Sequence, residues 1–252
     1  VKLQANTIFI TGGGSGIGRG LAEAFHKLGN KVVIGGRRRE ILDRTVAANP
    51  GMDAIFIDTT KQESIRAAAS DLIHKYPDLN VVVNNAGVQR VLDFAADAPV
   101  DQAAIAEEID TNIYGVLRVV SAFLPHLKSK PAAMIVNISS GLAYMPIARF
   151  PVYCATKAFV HSFTMSLRRQ LKNTSVRVVE LAPPWVTTDL DARHADRTSH
   201  GDLKPMPLAD FIPAAMEELS SDAGELHVAG AKFLHDSGIA EQAPAVFAQL
   251  NR

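Results

Sequence analysis

The chain has 252 residues, 47% of them hydrophobic, with 26 Lys+Arg balanced by 26 Asp+Glu, one cysteine and eight histidines. That is enough apolar mass for one α/β domain, and an even charge balance with no long run of one sign excludes the broad basic face of a nucleic-acid binder. The lone Cys154 excludes an internal disulfide, and the histidines carry neither His-Glu-x-x-His nor another paired spacing, so neither a nucleic-acid partner nor a resident metal is expected.

The first residues, "VKLQANTIFITGGG", enter an apolar strand-like run with no long signal-type apolar core. No stretch approaches the roughly 18 to 20 continuous apolar residues that span a bilayer. A cytoplasmic protein with no membrane partner is the expectation. Apolar strand segments at 7–10, 31–35, 54–57, 81–84, 133–139 and 176–181, with a weaker one at 225–230, alternate with helical periodicity at 18–28, 39–48, 61–75, 101–127 and 152–172. Nearly all-apolar strands between helices predict an α/β fold: a parallel sheet with helices on both faces. No repeat or linker divides the chain, so a single domain over 1–252 is expected. Pro and polar residues become dense over about 184–210, where helical period fades, and such a long irregular segment reads as a substrate lid.

The first strand runs into "TGGGSGIGRG". Thr11 closes the strand, and Gly12, Gly14, Ser15, Gly16, Ile17 and Gly18 form a turn and helix start where backbone N–H groups and the helix dipole can receive a pyrophosphate. The spacing is T-G-x-x-x-G-x-G rather than G-x-G-x-x-G. Gly13 and Gly18 have the separation of a P-loop, but Arg19 and Gly20 stand where Lys and a Mg-binding Ser/Thr belong, which removes a nucleoside-triphosphatase reading. After the second strand, Gly36 and Arg37 occupy positions where a NAD-binding protein carries Asp or Glu for the adenosine ribose. Arg37, assisted by Arg38 or Arg39, suits a 2′-phosphate instead, so NADP(H) is expected in preference to NAD(H). Cations at a helix start oppose its dipole, so helix stability does not account for this run. Asp58 ends the third strand as a candidate acceptor for the adenine amino group. Asn85, Ala86 and Gly87 end the fourth, at the strand C-termini where an open α/β sheet binds its ligand.

In "PVYCATKAF" the residues Tyr153 and Lys157 are four apart and share a helix face. A free tyrosine, with a pKa of about 10, is a poor base at neutral pH; a neighbouring cationic lysine, together with an oxidised nicotinamide, favours the phenolate and lowers that pKa. Tyr153 is therefore a candidate general acid–base. Upstream, "NISS" turns the adjacent Ser139 and Ser140 to opposite faces, and Asn112 lies inside the long helical segment 101–127, where Asn is not a preferred interior residue. Cys154 points about 100° around the helix from Tyr153 and reads as packing. Leu142, Tyr144 and Trp185 are candidate substrate-pocket residues, with Met145 and Phe150 adding to an apolar bias. His194 and His200 in the lid read as solvated.

In order and separation, "TGGGSGIG", "NNAG", "TNIYG", "NISS" and "YCATK" resemble the short-chain dehydrogenase/reductase family in its single-domain branch. The resemblance covers nearly the whole chain and implies a Rossmann-like, doubly wound sheet of about seven parallel strands with helices on both faces and a catalytic tetrad of Asn112, Ser140, Tyr153 and Lys157. The family's Ser-to-Tyr separation selects Ser140 over Ser139. By the same resemblance Tyr153 exchanges a proton with the substrate oxygen, Lys157 also grips the nicotinamide ribose, and Asn112 steadies a water in the proton relay. "PPWVTT" departs from the family's Pro-Gly-x-Val-x-Thr: Pro183 keeps its place, but Pro184 stands at the Gly position and lacks an N–H. Val186 and Thr188 match family positions that contact the carboxamide. The expectation is an NADP(H)-dependent oxidoreductase acting on a small-molecule carbonyl or alcohol, assembled as a homodimer or homotetramer through the fourth and fifth helices. The alternative is a non-catalytic NADP(H)-binding sensor or scaffold on the same fold.

Overall fold

The computed structural model describes residues 2–192 and 204–238. Its seven strands, β1 (Thr7–Thr11), β2 (Lys31–Gly36), β3 (Asp53–Phe56), β4 (Leu79–Asn84), β5 (Ala133–Ile138), β6 (Val176–Ala182) and β7 (Glu225–His227), form one sheet in the order β3-β2-β1-β4-β5-β6-β7. Every pairing is parallel. The chain crosses from β3 at one edge back to β4 beside β1, and this reversal opens a crevice at the strand C-termini.

The two-residue period of the strands sorts their side chains into two apolar layers. Ile8, Ile10, Val32, Ile34, Val81, Val83, Met134 and Val136 face one side, where Leu21 and Phe25 of α1 (Gly16–Lys27), Leu42 of α2 (Arg39–Ala48) and Phe211 of a C-terminal helix cover them. Phe9, Val33, Val82, Ile135 and Val178 face the other. There α3 (Gln62–Lys75) supplies Ile65 and Leu72, and residues 115–171 supply Phe123, Val160 and Leu167. Burial on both faces is why the strands read as continuous apolar runs.

Three helical features depart from the sequence expectation. The segment 101–127 is not one regular helix: α4 (Gln102–Ile109), capped by Asp101 through Ala103 and Ala104 N–H, passes through a π turn at Asp110–Tyr114 into α5 (Gly115–Lys128). The π turn carries Asn112, whose side chain is tied to the backbone of Val88 and displaces the regular helical pattern. The helix carrying Tyr153, α6 (Pro151–Leu171), begins with Pro at its first turn, where no N–H is needed. Within the segment 184–210, expected to be irregular, lies the short α7 (Asp189–Ala192). Val186 bridges to Met206, and α8 (Leu208–Ser220) starts two residues later; an internal Pro213 obscures its pattern in the sequence. Residues 193–203 of that expectation, with His194 and His200, lie outside the described residues. The last expected strand, 225–230, stops at His227, and its remainder turns into α9 (Gly230–Gly238). Among the described residues no helix is long and apolar enough to cross a membrane.

The stacked Phe9 and Phe123 rings, 5.3 Å between centroids and both fully buried, tie β1 to α5. Phe9→Ala is expected to lower the unfolding free energy by about 3–5 kcal/mol, read from urea denaturation midpoints; a loss below about 1 kcal/mol would show that this layer collapses around the cavity.

Candidate active site

One large cleft, about 580 Å³, runs along the C-terminal edge of the sheet. Its floor at one end is the turn between β1 and α1: Gly12, Gly14, Ser15, Gly16 and Ile17 line it. Gly12 has φ +66°, which only glycine adopts without strain, and this places the turn beneath the N-terminus of α1. Gly18 and Thr11 sit behind the wall rather than in it. A Cβ on Gly18 would stand 2.5 Å from Gly12 O and 2.3 Å from Asn85 Nδ2, so Gly18 is fixed by close packing of α1 on the turn. The Thr11 hydroxyl receives the N–H groups of Asn85 at 3.0 Å and Ala86 at 3.1 Å. Through that contact β1 sets the position of Asn85, Ala86 and Gly87, which line the cleft.

Beside the turn, Gly36, Arg37 and Arg38 line the same end, with Ile41 and Leu42 from α2. No carboxylate occupies the end of β2. Arg38 Nη2 donates to Ser15 Oγ at 3.0 Å, which draws its guanidinium against the glycine turn. Arg37 stays half-exposed, 3.5 Å from Glu107 Oε1, a carboxylate that also holds Arg90. Asp58 sits between Ile57 and Thr59, which reach the cleft, and its Oδ1 accepts from Thr60 N at 3.0 Å and Thr60 Oγ1 at 2.8 Å. A short turn-forming side chain satisfies its nearest backbone N–H first. The wide cleft, the glycine turn and two adjacent guanidinium groups fit a dinucleotide carrying an additional phosphate.

At the other end Ser140, Tyr153 and Lys157 line the cleft together. All three are buried, at 8%, 8% and 6% exposure, so their electrostatics are those of a nearly dry site. The Ser140 hydroxyl engages Tyr153 and also accepts from Leu142 N at 3.1 Å, while Ser139 faces Tyr144 and Glu180. Lys157 Nζ donates to Ile138 O at 2.8 Å and lies 5.6 Å from the centre of the Tyr153 ring. Burial pushes the Tyr153 phenol above its ordinary range, with the nearby Cys154 and Glu108 adding to it and Ser140 opposing. Burial likewise lowers Lys157 to about 8, against the pull of Glu180 and Glu108. The expected depression of the Tyr153 pKa by Lys157 is therefore not a property of the protein alone, because desolvation acts on both groups.

Asn112 stands just behind this group and does not line the cleft. Its Oδ1 accepts from Val88 N at 2.9 Å, and its Nδ2 donates to Val88 O at 2.8 Å and Thr156 Oγ1 at 3.1 Å. Its side chain joins the loop after β4 to α6. Glu108, one helical turn before Asn112, escaped the sequence reading altogether; only its i, i+4 relation to Asn112 signalled it. It is fully buried, with Oε1 accepting from Arg90 N at 3.1 Å and Oε2 unpaired.

The substrate side of the cleft is apolar: Leu142, Ile147, Phe150 and Trp185 line it, joined by Phe233 and Leu234 of α9. Pro183, Pro184, Val186 and Thr188 form the adjoining wall, and the Thr188 Cβ lies 3.3 Å from where a Cβ on Gly16 would be. Tyr144 corrects the expectation. It is turned away from the cleft, its hydroxyl donating to Glu180 Oε1 at 3.0 Å and its ring packed edge-on against His161, His227 and His235. A tyrosine with a buried carboxylate within reach places its hydroxyl there rather than in an apolar pocket. The α9 wall was invisible beforehand because it follows a strand only three residues long.

The family model described as "short chain dehydrogenase" matches residues 6–198. The "Uncharacterized oxidoreductase DltE" of Bacillus subtilis is 41% identical over 197 residues, covering 78% of each chain. Among solved structures, a short-chain dehydrogenase from Burkholderia cenocepacia in complex with NADP superimposes with a TM-score of 0.85 at 26% identity, over 100% of both chains. A 3-ketoacyl-(acyl-carrier-protein) reductase from Brucella melitensis complexed with NADH gives 0.79 at 28% identity, over 89% of this chain and 96% of that one. With its parallel seven-stranded sheet, its glycine turn and these matches, the chain belongs to the short-chain dehydrogenase/reductase family of oxidoreductases.

Proposed function

We propose that the protein is an NADP(H)-dependent oxidoreductase that interconverts a carbonyl compound and an alcohol. The observation that carries this is the convergence of Ser140, Tyr153 and Lys157 at one end of a cleft whose other end is the glycine turn. A bound nicotinamide supplies the hydride in reduction and accepts it in oxidation. Its pyrophosphate belongs on the turn and the α1 N-terminus, and the choice of NADP(H) rests on Arg37 and Arg38 standing where a carboxylate would select NAD(H). The two cofactor-bound relatives differ on this point, one holding NADP and the other NADH.

In reduction Tyr153 gives its phenolic proton to the carbonyl oxygen, and in oxidation it takes the proton back. Ser140 hydrogen-bonds the same oxygen and stabilises the charge that develops on it. Burial keeps Tyr153 protonated at rest, which suits the donor role. Lys157, held against Ile138 O, brings a cationic group to the site whenever it is protonated, below about pH 8. The apolar wall of Leu142, Phe150, Trp185 and Phe233 points to a substrate with a hydrophobic portion.

Tyr153→Phe removes the phenolic hydroxyl and is expected to lower kcat with NADPH on a panel of ketones and aldehydes by about 10²–10⁴-fold, with NADPH affinity retained. Turnover within a few-fold of the wild type would exclude Tyr153 as the acid. Titration of the protein by Trp185 fluorescence should give NADPH binding tighter than NADH by about tenfold or more, a difference of about 1.4 kcal/mol. Arg37→Asp should erase that gap, and an unchanged ratio would refute the role of Arg37. Glu108 provides a third test. Burial raises its pKa from 4.5 to about 7, and its charge faces Tyr153, Cys154 and Lys157. The folded chain holds this proton more tightly than the unfolded chain, so stability is lost as pH rises from about 4.5 through 7. Glu108→Gln keeps an acceptor without the charge, so its stability relative to wild type should increase between pH 5 and pH 8, by at most about 3 kcal/mol. Paired denaturant titrations showing a pH-independent difference would contradict this account of Glu108.

A further inference from the structure

We propose that Glu225, His227 and His235 form a site for a divalent transition metal such as Zn²⁺, which clamps α9 to the end of β7. One donor atom from each side chain lies within 4.8 Å of the other two. The strand's two-residue period puts Glu225 and His227 on the same face of β7, and α9 folds back to bring the His235 ring to 4.2 Å, centroid to centroid, from that of His227. All three are half-buried, open enough for an ion to enter. Donors about 2.1 Å from a tetrahedral Zn²⁺ stand about 3.4 Å apart, so modest side-chain rotations close the set.

The surrounding hydrogen bonds decide which nitrogen each imidazole offers. Tyr144 donates its hydroxyl proton to Glu180 Oε1 at 3.0 Å, so its oxygen accepts from His227 Nε2 at 3.0 Å. A proton on Nε2 leaves His227 Nδ1 bare. His235 Nδ1 faces Asp236 Oδ1 at 3.0 Å; a carboxylate can only accept, so the proton lies on Nδ1 and Nε2 is bare. An imidazole backed by a hydrogen-bond partner on its far nitrogen is the arrangement that orients metal-ligating histidines. Glu225 Oε1 accepts from Arg168 Nη1 at 3.3 Å, which steadies the carboxylate and leaves its other oxygen for the ion. Two imidazoles and one carboxylate, with water in the fourth place, are ligands that Zn²⁺ and Co²⁺ accept. A neighbouring set, His161, Glu180 and Glu225, is equally compact, but His161 Nδ1 and Glu180 Oε2 already satisfy each other at 2.8 Å.

None of Glu225, His227 and His235 lines the cleft that holds Ser140, Tyr153 and Lys157, so the ion takes no part in proton or hydride transfer. Its effect is mechanical: His235 directly follows Phe233 and Leu234, which line the substrate end of the cleft. Fixing His235 to β7 fixes that wall. The test is a Co²⁺ titration of the chelator-stripped full chain, followed by the visible band of tetrahedral Co²⁺, with Zn²⁺ as competitor. One equivalent of Co²⁺, displaced by Zn²⁺, and a melting temperature raised by Zn²⁺ are expected. Glu225→Gln and His235→Ala should each weaken binding by about tenfold or more, while the exposed His74→Ala leaves it unchanged. If His235→Ala fails to fold, the near-isosteric Glu225→Gln decides. No Co²⁺ band in the wild type, or a band of equal affinity in Glu225→Gln, would overturn the site.

Discussion

The cleft depends on how β1 and β4 are held together where the sheet reverses direction. Thr11 at the end of β1 receives two N–H groups from the end of β4 and donates to Val83 O at 3.3 Å, while Asn85 Nδ2 returns a bond to Thr11 O at 3.0 Å. These bonds cross the point at which helices leave on opposite faces, so the strand ends diverge without fraying. Gly18 then brings α1 against Asn85 with no room for a side chain. The glycine turn, the "NNAG" segment and the first helix are thus joined into one continuous surface at the sheet's C-terminal edge.

The chemistry of the other end is shaped by the cost of drying it. Tyr153, Lys157, Glu108 and Cys154 are all buried within reach of one another's charges, and desolvation is the largest influence on each. The low-dielectric surroundings that strengthen a hydrogen bond to a reacting oxygen also penalise any resting charge. Ser140 and the backbone carbonyl of Ile138 are the fixed polar contacts that hold Tyr153 and Lys157 in place against that penalty. Asn112 contributes from behind, fastening the loop after β4 to α6 through the π turn.

A second polar network, separate from Ser140, Tyr153 and Lys157, gathers around β6. Glu180, fully buried on β6, collects Tyr144 and His161; burial raises its pKa, but the hydrogen bond and charge of His161 and the hydrogen bond from Tyr144 hold it below the usual carboxylate value. Ser139 and Ser140, adjacent on the chain, therefore belong to different networks, one structural and one facing the cleft. The strand's alternation makes that division unavoidable.

The sequence by itself determined whatever depends on spacing within one element. Strand–helix alternation specified a parallel sheet covered on both faces, the glycine pattern located the turn at one end of the cleft, the i, i+4 relation put Tyr153 and Lys157 on one face, and the arginines after β2 fell at the same end as that turn. Tertiary structure decided where loop side chains point and which distant residues meet. Tyr144 and Asp58 sit in the right segments but turn to nearer partners, and a loop position has no period to reveal that. Glu108 gained its buried setting only when α4 packed beside α6. His161, His227 and His235 came together through three elements whose sequence separation carries no pattern at all. Local periodicity fixes the face of a helix or strand; only packing fixes what that face meets.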